Sequence, residues 1–135
     1  MPKTPVPAEV AEFLRKPNPA VMSSNRPDGQ PVSVATWYIW DDGRILINMQ
    51  EDRKRLDYLR QDPRVSLTVL DNDNWYTHIS MQGRITAWKD DTDFTDIDRL
   101  SMHYGGSPYP NHERGRVSAW IDVDRWHGWG AFSKA

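Results

Sequence analysis

Apolar and polar residues alternate along most of this chain, and three times the alternation gives way to helical spacing. In residues 7–15, PAEVAEFLR, the apolar Val10, Phe13 and Leu14 share one helical face, with Pro7 suited to a first turn and Pro17 a stop. AVMSSN and PVSVATWYIW read as two strands joined by a hairpin, because Pro27, Asp28 and Gly29 supply turn chemistry between β-rich runs. A second turn, Asp41-Asp42-Gly43, leads into RILINM, and these three strands are expected to form a meander.

Helical spacing returns in DRKRLDYLRQ, where Leu56 and Leu59 share a face, Asp52 is a candidate N-cap and Asp62-Pro63 a stop. RVSLTVL resumes period two. After the turn DNDN comes a long strand, WYTHISMQGRITAW, in which Gly83 marks a bend or a close approach. Residues 91–104 read as a helix through Phe94, Ile97, Leu100 and Met102, followed by the loop GGSPYPNHERG. RVSAWIDVDRWHGWGAF then reads as a strand, a turn and a short final strand. About six strands with two or three short helices between them predict a mainly β protein, a closed or partly closed barrel. A doubly wound parallel sheet would need a helix of similar length after every strand, and the sequence has none.

A length of 135 residues suits one domain spanning 1–135. Seventeen lysines and arginines against 19 acids leave a net charge of −2, so no global basic field exists to hold nucleic acid or an acidic membrane, and any anion site must be local. The absence of cysteine removes disulfides, thiolate catalysis and cysteine-based metal sites. No apolar run approaches the ~20 residues that span a bilayer, and MPKTPVPAEV lacks the apolar stretch of a leader peptide, so a cytoplasmic protein is expected. Seven tryptophans are many for so short a chain to hide, a hint of a partner subunit or a bound aromatic ring.

The most informative candidate chemistry is the run Arg53, Lys54 and Arg55 in the first turn of the second helix. Cations there oppose the helix dipole, which favours acids at that end by roughly 0.3–1 kcal/mol each. Two readings follow. Either the turn is solvated and partly neutralised by Glu51, Asp52 and Asp57, or the cations and free backbone N–H groups form an anion site suited to phosphate. The histidines, His78, His103, His112 and His127, are scattered without metal-ligand spacing, so no metal is expected. Neither a hydrolase nucleophile elbow, a Rossmann glycine motif nor a phosphate-binding Walker loop is present.

Taken in order, AVMSSNRPDGQPVSVATWYIWDDGRILINM, EDRKRLDYLRQDPRVSL and ISMQGRITAW resemble the pyridoxamine phosphate oxidase-like superfamily, and in particular its actinobacterial F420-dependent branch. The likeness runs from about Ala8 to the terminal HGWG, and its strongest element is Asp-Arg-x5-Leu-Arg-x-Asp-Pro-Arg, here Asp52 to Arg64. The resemblance implies a split β-barrel with short peripheral helices, paired as a homodimer with each cofactor in a groove between subunits. It implies that Arg53 and Arg55, with Lys54 beside them, hold a cofactor phosphate. Ser33, Val34, Ala35, Thr36 and Trp37, and Asn48, Met49 and Gln50, are similar to segments that contact the ring and ribityl chain, largely through main-chain groups. Trp126 or Trp129 resembles a tryptophan packed near the ring.

Pyridoxamine phosphate oxidases proper carry a longer C-terminal substrate segment, so vitamin B6 oxidation is not expected. The resemblance implies coenzyme F420, with FMN as the alternative, and hydride transfer from the reduced deazaflavin to an unsaturated or conjugated small molecule. Tyr38, Tyr76 and His78 are proton donors by type only, so no catalytic residue is assigned. A non-catalytic barrel that binds a flavin, haem or another tetrapyrrole would use the same groove.

Overall fold

A computed structural model describes residues 5–135; the first four residues, which open the stretch read for a leader peptide, lie outside the described residues. Seven strands form one antiparallel sheet: β1 (Ala20–Asn25), β2 (Pro31–Thr36), β3 (Ile39–Asp41), β4 (Arg44–Gln50), β5 (Arg64–Leu70), β6 (His78–Asp90) and β7 (Arg116–Trp129). Three helices intervene: α1 (Ala8–Leu14), α2 (Lys54–Gln61) and α3 (Thr95–Gly105). None of them is long and apolar enough to cross a membrane.

The strand order is β2-β1-β5-β6-β7-β4-β3. The expected meander is therefore corrected. PVSVATWYIW is not one strand but two, which break at Trp37-Tyr38 and pair at opposite ends of the sheet, β2 on β1 and β3 on β4. A two-residue joint reaches no further than about 11 Å from Thr36 to Ile39. The two edges must therefore lie close together, and the sheet curls into a barrel whose seam is covalently bridged but carries no strand pairing. That is the split barrel expected from the resemblance.

Alternation supplies the core. Ala20 and Met22 of β1, Val65, Leu67 and Val69 of β5, Ile79 and Met81 of β6, and Val117, Ala119 and Ile121 of β7 point inward, and α1 closes the barrel with Val10, Phe13 and Leu14. Gly83 is the close approach expected: a Cβ there would strike the Asp122 carbonyl, at a register shift between β6 and β7. The C-terminal segment corrects a second expectation, because β7 runs unbroken for 14 residues, paired with β6 from Asp90 to His78. The third helix starts at Thr95, not residue 91. Asp91 instead stands before it as acceptor, taking the Asp96 N–H at 3.0 Å and the Ile97 N–H at 2.9 Å.

Candidate functional site

Helix α3 lies against β3 and β4 through Ile39, Leu46, Ile97 and Leu100. Where it faces the seam, a cleft of about 770 Å³ opens, within the roughly 300–1,000 Å³ typical of small-molecule sites. Its flat surface is aromatic. Trp37, at the seam, stacks on Tyr104 with centroids 5.4 Å apart and planes 12° from parallel, and Tyr109 meets Trp37 edge-on at 6.2 Å. Tyr104 is held in place, its hydroxyl donating to the Asn18 carbonyl at 2.7 Å and accepting from the Tyr38 N–H at 3.4 Å. Burial pushes the Tyr104 phenol above its ordinary pKa, so it is neutral at physiological pH.

The other end of the cleft is polar. Asn48 and Arg116 line it, joined because β4 and β7 pair in a register that sets Gln50 opposite Arg116. Every hydrogen-bonding side of the Asn48 amide is used. Its Nδ2 donates to Asp91 Oδ2 (3.1 Å) and Ser118 Oγ (3.0 Å), while its Oδ1 accepts from Arg116 Nε at 2.6 Å. Ser118 in turn donates to Asp96 Oδ2 at 2.6 Å. Buried polar networks of this kind hold their members rigidly when fully satisfied. Tyr109 supports the Arg116 guanidinium from another side, with Cζ 5.0 Å from the ring centroid.

Beyond Arg116 lie the cations singled out in the sequence. Arg53 caps α2 in extended conformation, Lys54 opens the helix and Arg55 follows, so Asp52 is not the N-cap that was expected. Its carboxylate pairs with Arg114 at 3.2 Å instead. Among the described residues, Arg26, Arg44, Arg64, Arg84, Arg99 and Arg114 have carboxylate partners, whereas Arg15, Arg53, Arg55, Arg60, Arg116 and Arg125 have none, and of these six Arg53, Arg55 and Arg116 lie close enough to repel one another. Nor do Glu51 and Asp57 pair with the basic turn, so the neutralised reading loses its neutralisers. Desolvation first, then the neighbouring Arg53 and Arg116, depress the Arg55 pKa; desolvation also depresses that of Arg116. The Arg55 Nε is buried with no hydrogen-bond partner. An orphaned donor among unneutralised cations fits an anionic oxygen.

The remaining residues named from sequence are spread around this site. Ala35, Thr36, Trp37 and Asn48 line the cleft. Ser33 lies on the outer face of β2, its hydroxyl 2.7 Å from that of Ser23, while Val34 packs on the core. Met49 is 1 % exposed and points into the barrel, so only its main chain could meet a ligand. Gln50 sits at the turn into α2, its carbonyl accepting the Arg53 N–H at 3.1 Å. Of the two tryptophans, Trp126 is a core residue, 2 % exposed, and Trp129 stands outside at 45 %, flanked by His78 and His127.

Tyr38 is no proton donor: it is fully buried, and its hydroxyl donates to the Leu14 carbonyl at 2.8 Å. Tyr76 and His78 lie outside the cleft lining. Sequence reasoning missed Arg116, Tyr104 and Tyr109. The only signal for Arg116 was its place at the start of a strand, and its partner Asn48 is 68 residues away.

Comparison with known proteins agrees with this architecture. A solved F420 reductase superposes with a TM-score of 0.82 at 23% identity, covering 90% of this chain and 98% of its own. A conserved hypothetical protein from Mycobacterium tuberculosis gives 0.73 at 26% identity, covering 94% and 86%. A FAD-binding protein from Mesorhizobium loti gives 0.63 at 19%, covering 93% and 96%. No curated protein matches the chain in sequence. The family model described as pyridoxamine 5'-phosphate oxidase matches residues 6–130, nearly the whole chain and every strand of the barrel, and the chain belongs to that family.

Proposed function

We propose that this protein is a reductase that uses a phosphorylated flavin-type cofactor, coenzyme F420 in preference to FMN, held in a groove between two copies of the chain. The observation that carries the proposal is the meeting of an aromatic cleft with an unneutralised guanidinium cluster in a member of this family. A flat phosphorylated ring system needs both. The F420 reductase and the FAD-binding protein that share the fold support a flavin-type cofactor.

Each part of the site then has a role. Arg53 and Arg55 hold the phosphate, and Arg55 Nε gains the acceptor it lacks. Trp37, Tyr104 and Tyr109 offer ring faces for stacking, and Ile97 and Leu100 keep water from that end of the cleft. When bound, reduced F420 supplies a hydride to an unsaturated or conjugated small molecule. The Tyr104 hydroxyl, committed to Asn18, orients the stacked pair and releases no proton.

The outer face of the sheet supports a homodimer. The register aligns Ala35, Val21, Thr68 and Ser80 in one row and Ser33, Ser23, Ser66 and Gln82 in the next, eight uncharged positions across four strands. Trp37, Trp75 and Trp129 remain exposed on the single chain. An uncharged sheet face with exposed tryptophans at its margins suits a second copy.

The test is a paired titration with F420 and FMN, followed by anaerobic mixing of reduced F420 with conjugated carbonyls, quinones and tetrapyrroles. Tighter F420 binding and oxidation of the coenzyme by a panel member are expected. Preferential FMN binding would move the protein to FMN chemistry, and haem binding without turnover would make it a carrier.

A further inference from the structure

Arg116 has no role in the family resemblance. Its main chain is fixed by pairing with Gln50, three residues before Arg53, and its backbone carbonyl accepts the Asp91 N–H at 2.9 Å. The side chain is equally constrained. Asn48 holds Nε at 2.6 Å, Tyr109 covers the guanidinium plane, and Asn48 is itself tied to Asp91 and Ser118. With Nε engaged by Asn48 and the Tyr109 side chain also interacting with the guanidinium, the remaining terminal N–H groups are the edge left for a ligand. Of the three clustered arginines, Arg116 lines the aromatic cleft, whereas Arg53 and Arg55 do not.

We infer that Arg53, Arg55 and Arg116 form one three-guanidinium receptor for a group bearing at least two negative charges, with Arg116 its cleft-facing and charge-selecting member. The inference deepens the proposed function and rests on this cleft being the ligand site. None of the three cations has a carboxylate in direct contact, and only Arg116 feels one at longer range, Asp91 through Asn48, so a singly charged phosphodiester leaves the cluster with excess positive charge. A phosphate monoester dianion, or a phosphodiester with a carboxylate close by, meets the requirement. Arg116 supplies a preorganised edge, so little side-chain entropy is lost on binding.

The test uses anions without a ring, so its result is independent of the cofactor. Calorimetry at pH 7.5 would compare pyrophosphate, methyl phosphate and dimethyl phosphate on the full chain, for the unaltered protein and for Arg116→Gln, Arg116→Lys and Arg44→Gln. Arg44 pairs with Asp122 and serves as the control. The unaltered protein should bind methyl phosphate, whose second ionisation lies at about 6, in clear preference to the singly charged diester. Arg116→Gln should weaken pyrophosphate about tenfold or more and shrink the monoester-to-diester preference, Arg116→Lys should recover part of both, and Arg44→Gln should change neither. A purely structural role for Arg116 would weaken all anions alike and leave the preference intact, overturning the inference. So would equal binding of the two esters, or no binding of pyrophosphate. If F420 and FMN both fail to bind while the anion results hold, the cofactor proposal falls and the receptor stands. If a cofactor binds equally well to Arg116→Gln, the receptor falls and the cofactor proposal stands.

Discussion

Replacing Arg55 with methionine should make the ligand-free protein more stable and the ligand-binding protein worse. The buried Nε has no partner, and leaving such a donor unsatisfied costs about 1–3 kcal/mol. Arg53 and Arg116 add like-charge repulsion, screened because the guanidinium is only partly buried, so we allow a few tenths of a kcal/mol for each. Methionine keeps most of the apolar stem that covers neighbouring surface. The expected net gain is about 1–2 kcal/mol, or roughly 3–8 °C in Tm for a chain of this length. Differential scanning calorimetry at fixed protein concentration, without phosphate or sulfate, would measure it. The unaltered protein should also gain stability with added sodium chloride, which screens the cluster, and the variant should gain less. F420 affinity should fall tenfold or more in the variant. A lower Tm for ligand-free Arg55→Met would refute the reasoning, because it would mean that Arg55 is already satisfied in solution.

Tyr38→Phe should cost about 1 kcal/mol in urea unfolding through loss of the bond to Leu14, yet leave the rate of any coenzyme oxidation unchanged. Gly83→Ala should destabilise by about 2 kcal/mol or more in the same assay, since the new methyl meets rigid backbone at Asp122 and not a side chain that can turn away. Val21→Arg, in the middle of the uncharged outer face, should shift the light-scattering mass from twice 15.7 kDa to 15.7 kDa. Burial depresses the His103 pKa below its unfolded value of about 6.5, so the unfolded chain takes up the proton first. That contribution to stability is complete above about pH 6.5 and is lost as pH falls below it, and His103→Gln should flatten this part of the pH–stability curve.

Much of the barrel was legible because its signals are local. Alternation and β-rich composition marked β1, β5 and β6 as strands, Pro17 and Pro63 ended helices, and Gly83 stood out in a run of larger residues. Alternation specifies a face, however, and not a neighbour. PVSVATWYIW keeps a strand-like composition straight through Trp37-Tyr38, so nothing local announced that its halves pair at opposite ends of the sheet. The C-terminal run RVSAWIDVDRWHGWGAF likewise read as two strands joined by a turn, but pairing with β6 holds it extended as far as Trp129. The basic turn was visible as three adjacent cations. Its third guanidinium was not, because Arg116 reaches the cluster through strand register across 66 residues. Asp91 was mistaken for a helical residue since a carboxylate that accepts the first N–H groups of a helix sits next to that helix in sequence as well.

The two-residue seam has a mechanical consequence. Trp37 is both the covalent hinge between the sheet edges and a wall of the cleft, so any opening of the barrel along its unpaired line must displace a surface the ligand grips. A ligand stacked on Trp37 and Tyr104 and anchored at Arg116 would act as a clasp across that line, since Trp37 belongs to the seam and Arg116 to β7, near the middle of the sheet. Occupancy should then slow amide exchange along β2 and β3, the two edges of the sheet, more than it slows exchange in the already continuous β5–β6–β7 centre of the sheet.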